Sequence, residues 1–207
     1  MIKAVIFDWD LTLAKTLRFR TRLMRKFCKL ARISFWPIAL NTRHLFGLTV
    51  HSIFRFAPEW VSKRQAMGIY RMLFQKYAHL MNFTGKETLA ALHKEKYKLG
   101  VVTNDLADNI KWYLKKQGFD IAVLDTNLAP KPKPVVLKRM LKSLNVRPSQ
   151  AVYVGDHPVD IQMGKAAGVK TIALKTWLHG RKRLRKEKPD AVVRRLRDIP
   201  NVVRLLD

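Results

Sequence analysis

The short run from Ile2 to Phe7, apolar but for Lys3, leads straight into Asp8-Trp9-Asp10-Leu11-Thr12. A run this short and apolar predicts a strand buried on both faces, as in the middle of a parallel sheet. Two aspartates at its carboxyl end are costly, because burying unpaired charge is expensive. Three downstream pieces can offset that cost: Thr103, Lys131 and the run Gly155-Asp156-His157-Pro158-Val159-Asp160.

Further apolar runs predict strands at 99–103, 121–124, 151–154, 169–174 and 190–193. Helical spacing predicts helices over 86–97, 108–117, 134–144 and 158–167, with one more at the end of the chain. Strands alternating with helices predict an α/β fold with a doubly wound parallel sheet. Residues 1–14 and 85–207 make up this core. Between residues 15 and 84 the character changes, with 14 Lys or Arg against the single acid Glu59. Leu17 to Ile33 reads as an amphipathic basic helix, Leu45 to Phe56 is more apolar, and Val61 to Met81 is again helical. No strand alternation is visible there, so 15–84 reads as an inserted, all-helical domain. The run from Arg181 to Lys188 reads as an exposed basic loop.

Lys and Arg number 41 against 15 acids, a formal charge of +26 over 207 residues. Such a surface attracts anions: nucleic acid, anionic lipid or small phosphorylated molecules. A single cysteine, Cys28, excludes an internal disulfide framework and fits a reducing compartment. No run reaches the roughly 18 apolar residues of a membrane span. The apolar start runs directly into Asp8 and Asp10, unlike a signal peptide. A cytoplasmic protein is the expectation.

Ligands of open α/β sheets bind beyond the carboxyl ends of the strands. Asp8, Asp10, Thr103, Lys131, Asp156 and Asp160 all come after predicted strands on that side. Four converging carboxylates would repel one another. Lys131 can neutralise one, and a hard divalent cation such as Mg²⁺ can take others through oxygen ligands.

These four pieces, in this order, resemble the motifs of the haloacid dehalogenase-like hydrolases, which are mostly Mg²⁺-dependent phosphatases. Gly-Asp-His-Pro-Val-Asp and Lys131-Pro132-Lys133-Pro134 look most like the phosphoglycolate phosphatase branch, whose insert is a helical cap. The resemblance implies that Asp8 is a nucleophile forming an aspartyl-phosphate and that Asp10 is the general acid. It implies that Thr103 holds a phosphoryl oxygen and that Lys131, with Lys133 second, steadies the charge. Mg²⁺ would be bound by Asp8, Asp156 and Asp160, with the backbone carbonyl of Asp10. Thr12, the threonine of the first motif Asp-x-Asp-x-Thr, Asn104 beside Thr103, and Arg18 and Arg20 near the cap hinge complete the candidate substrate-binding set. Leu11 departs from the family's frequent glycine at that position. Asp10 speaks against carbon–halogen cleavage, because the dehalogenating members lack it. The implied function is hydrolysis of the phosphate monoester of a small anionic metabolite. The alternatives are a nucleic-acid or anionic-membrane binding module, a polynucleotide end-phosphatase, or a phosphomutase.

Overall fold

Alternate residues of the first strand enter two separate apolar layers, and this fixes the architecture. The computed structural model describes residues 1–30, 62–127 and 129–207. In chain order the described elements begin with β1 (Ala4–Phe7), β2 (Ala14–Lys15), α1 (Leu17–Leu30), α2 (Lys63–Tyr77) and β3 (Asn82–Phe83). Next come α3 (Lys86–Lys94), β4 (Lys98–Thr103), α4 (Ala107–Lys116), β5 (Ala122–Asp125) and α5 (Val135–Ser143). The chain ends with β6 (Ala151–Gly155), α6 (Pro158–Ala166), β7 (Lys170–Leu174), α7 (Arg181–Lys186), β8 (Ala191–Val193) and α8 (Ile199–Leu205).

Six strands form one parallel sheet in the order β5-β4-β1-β6-β7-β8. Val5 and Phe7 point into a layer built with Phe19, Leu23, Tyr70, Phe74, Leu89 and Ile110. Ala4 and Ile6 point the other way, against Met140, Leu137 and Met163. Both faces of β1 are therefore covered, which is why its sequence reads as a continuous apolar run rather than an alternating one. β1 lies between β4 and β6, with Phe7 level with Val101 and Val154. The loop after β1 thus meets the loops after its two neighbours, at the point where the strand order reverses.

Helices α1 and α2 pack on the first layer. Phe19 and Phe74 meet edge to face, as do Phe27 and Tyr70. Ser62 caps α2, accepting from the Gln65 backbone N–H while the Gln65 side chain returns to the Ser62 N–H. At the two boundaries of this region Ala14 pairs with Phe83 and Lys15 with Asn82, so β2 and β3 make a small antiparallel ribbon. Two-residue strands are too short to show alternation in sequence. Residues 181–186, expected as a loop, form α7, anchored by the buried Leu184 against Ile161 and Ala173. The readings for Leu45–Phe56, and the start of the helix expected from Val61, lie outside the described residues. No described helix is long and apolar enough to cross a membrane.

Candidate active site

At the carboxyl end of β1, carboxylate oxygens of Asp8, Asp156 and Asp160 lie within 4.8 Å of one another, and all three residues are buried. The Lys131 ammonium donates to Asp8 Oδ1 at 2.5 Å and to Asp160 Oδ1 at 2.7 Å. Its side chain is 4% exposed, whereas Lys133 is exposed, so geometry separates two lysines that sequence alone can only rank. The Thr12 hydroxyl lies 3.2 Å from Asp8 Oδ2 and 3.4 Å from Asp156 Oδ1. Thr176 donates to the other Asp156 oxygen at 3.1 Å. Asp160 is the third residue of α6, where its Oδ2 accepts the His157 backbone N–H at 3.0 Å. That capping geometry turns the carboxylate back toward the strand end.

Gly155 is required for this arrangement. A Cβ there would sit 2.3 Å from the Asp160 Cβ and 2.5 Å from its Oδ2. Gly155→Ala is expected to cost roughly 1–3 kcal/mol through overpacking, and to push Asp160 off Lys131. Urea unfolding of the two proteins checks it, and equal midpoints would refute it.

The electrostatics leave the cluster short of positive charge. Burial drives Asp8 up to about 7, with Lys131 opposing the rise and Asp160 and Asp10 adding to it. Burial, then Asp8 and Asp160, holds Asp156 well above the carboxylate range. Burial alone would lower Lys131, but Asp160 and Asp8 outweigh it and leave it firmly protonated. One ammonium among three buried carboxylates, with oxygen donors on every side, is the donor set a hard divalent cation fits.

Asp10 is turned elsewhere. Its Oδ1 accepts from the Thr16 hydroxyl at 2.6 Å and from Arg20 Nε at 2.7 Å, while Arg20 Nη2 binds Oδ2. Arg20 also reaches Asp105 at 3.4 Å, and the Tyr70 hydroxyl lies 3.1 Å from the same carboxylate. Arg20 is thus a buried ion-pair partner of Asp10. Arg18 lines a different, wider cleft. Thr103 ends β4 fully buried, its hydroxyl accepting the Asp105 N–H at 3.0 Å. Asn104 lines a cavity of about 120 Å³ together with Asp8, Asp10, Lys131, Asp156 and Asp160.

A model of the haloacid dehalogenase-like hydrolase family matches residues 5–174. The chain belongs to that family. Among curated relatives, the pyrophosphatase PpaX of Bacillus velezensis is 36% identical over 121 residues, and that of Bacillus pumilus 34% over 122. Each match covers 56% of either chain, so this chain spans just over half the length of those relatives. A "predicted phosphoglycolate phosphatase" from Haemophilus somnus superposes with a TM-score of 0.75 at 22% identity, covering 98% of both chains. CbbY from Rhodobacter sphaeroides, solved with phosphate, gives 0.74 at 19%, covering 96% of both. At these identities the two structures bear on the fold.

Within this haloacid dehalogenase-like fold, Leu11 adopts a left-handed backbone, φ 59°. Only glycine takes that conformation freely, which is the physical sense of the family's preference there. Sequence reasoning alone does not reach three features. Thr176, which steadies Asp156, comes after a strand with nothing local to distinguish it. His179 is 4% exposed with neither ring nitrogen bonded, and its ring meets His157 at 4.3 Å on the cavity wall. Burial, then His157 and Arg183, lowers His179 to about 4. The Asp10–Arg20–Asp105–Tyr70 cluster is the third. Cys28 is buried on α1, and burial pushes its thiol up to about 11, as befits a packing residue.

Proposed function

We propose that this chain is a phosphatase that hydrolyses a small phosphate monoester through an aspartyl-phosphate on Asp8, with Mg²⁺ as cofactor. The observation that carries the reading is the Lys131 ammonium held between Asp8 and Asp160 inside a buried three-carboxylate cluster. Asp8, Asp156 and Asp160 would hold the cation, and the backbone carbonyl of Asp10 is a further candidate ligand. Bound there, the cation would offset the carboxylate charge and draw electron density from the phosphoryl oxygens.

In this reading an Asp8 oxygen attacks phosphorus as the ester P–O bond breaks, and the electron pair leaves with the alcohol oxygen. Asp10, on the cavity wall, turned from Thr16 and Arg20 and in its protonated carboxyl form, gives its proton to that oxygen and is left as the carboxylate. Water then attacks the aspartyl-phosphate, giving its proton to Asp10 and releasing inorganic phosphate and free Asp8. Lys131, together with the cation, would favour the ionised Asp8 that attacks, against the pull of burial, and it faces the charge that gathers in the transition state. Asn104, on the cavity wall, would donate to a phosphoryl oxygen, and Thr103, buried behind it at the end of β4, would have to be uncovered to do the same. The region 15–84 acts as a cap that closes over this site and excludes water.

Phosphate release from p-nitrophenyl phosphate, phosphoglycolate, sugar phosphates, nucleotides and pyrophosphate tests the reading. Turnover is expected with Mg²⁺, to fall to background with excess chelator and to return on adding Mg²⁺ back. No release from any substrate, or release indifferent to chelator, would refute it. Pyrophosphate is in the panel because the curated relatives are named for it.

A further inference from the structure

We propose that a basic cleft beside the catalytic cavity binds single-stranded nucleic acid. The cleft, about 930 Å³, lies between the β2–β3 ribbon, the start of α1 and the segments after β7 and β8. It is near the upper end of the roughly 300–1,000 Å³ typical of ligand pockets, far larger than one phosphate needs. Lys15, Arg18, Lys175, Arg194, Arg195 and Arg197 line it, and Glu87 is the one carboxylate in its wall among the described residues. Arg195 pairs with Asp198 at 3.4 Å. None of the other five has a carboxylate within ion-pair distance among the described residues. Like charges gathered from three separate stretches of chain repel, and a polyanion threading between them would relieve that repulsion.

Trp177, 70% exposed, stands in the same wall. A bare indole among arginines gives a base a face to stack on while the cations take the backbone, the arrangement that serves single strands. Inorganic polyphosphate would leave the indole without a role, and a membrane would need a convex apolar surface rather than a concavity. The cleft also adjoins the catalytic machinery. Leu11 lines both it and the catalytic cavity, and Thr176 in its wall donates to Asp156. Thr12, also in its wall, lies 3.2 Å from Asp8 Oδ2, so a bound strand would lie one side chain from Asp8. This proposal concerns binding and stands whether or not the phosphatase reading does.

The test is fluorescence anisotropy of a labelled twelve-nucleotide oligo-dT or oligo-U, with chelator present to prevent turnover. Binding is expected to weaken with salt, the slope of log affinity against log salt being about −3 for four or five phosphate contacts. Trp177→Ala, and separately Arg194→Ala with Arg197→Ala, should each weaken binding at least about tenfold. Lys138→Glu with Lys142→Glu, on exposed positions of α5, should change it less than about twofold, given that the sites are independent. Circular dichroism and urea unfolding of each variant confirm that it folds. No binding would overturn the proposal, as would equal losses in the cleft and α5 variants. So would polyphosphate of matched charge competing as well as the oligonucleotide while Trp177→Ala has no effect.

Discussion

Asp8→Asn is expected to lower phosphate release by at least about 10³-fold, the scale on which loss of a nucleophile acts. Stability should hardly move. Asn and Asp have nearly the same shape, and the Thr12 hydroxyl, 3.2 Å away, can still donate to an amide oxygen. Lys131 keeps Asp160 as its partner at 2.7 Å. Burial already drives Asp8 up to about 7, so a neutral group costs the fold little there. The wild-type protein, quenched in acid during turnover, should carry one extra phosphoryl group by mass. The variant should carry none. Release within tenfold of wild type, or a phosphoryl group still trapped on the variant, would move the nucleophile to another residue.

Much of this site is legible in the sequence because its residues belong to strand ends. Asp8 and Asp10 close an apolar run, Asp156 comes just after another, and the parallel sheet carries them to one rim whatever the loops do. Sequence pairs Lys131 with the cluster but does not separate it from Lys133, since burial of one rather than the other depends on how the proline loop folds back. Arg20 shows a different limit. Its place near the hinge makes it a candidate for substrate, yet its second partner, Asp105, is 85 residues away. A signal is present all the same. Leu23 and Phe27, three and seven residues on, are buried on α1 with it, so Arg20 is a cation on the apolar stripe. A cation there needs a buried anion. The cleft of Lys15, Arg18, Lys175 and Arg194 has no comparable signal, because three stretches of chain far apart in sequence supply its cations. The two-residue strands of the β2–β3 ribbon are below the length at which any period can be read.

Removing Arg20 should be among the most damaging single changes to stability. Its side chain is 10% exposed, bound to Asp10 through Nε and Nη2 and 3.4 Å from Asp105. Asp105 itself is 1% exposed. Breaking a buried ion pair from one side leaves charge uncompensated, and Arg20→Ala is expected to cost about 3–5 kcal/mol in urea unfolding. Arg20→Lys should recover part of that, since an ammonium keeps the charge but cannot span both oxygens of Asp10 and reach Asp105. The pH dependence distinguishes this from simple loss of packing. Burial already raises Asp105 to about 6 against the opposing pull of Arg20, and without Arg20 it must rise further. A carboxyl whose folded pKa lies above its unfolded value costs stability when ionised, and the cost disappears as pH falls through the folded pKa. The deficit of Arg20→Ala relative to wild type should therefore shrink between pH 8 and pH 5. Asp105→Asn placed in the Arg20→Ala background should restore stability at pH 8 and lose that advantage in acid. A deficit that is constant across this range and unmoved by Asp105→Asn would mean that Arg20 holds α1 through its methylene stem, and that its grip on Asp10 and Asp105 is energetically idle.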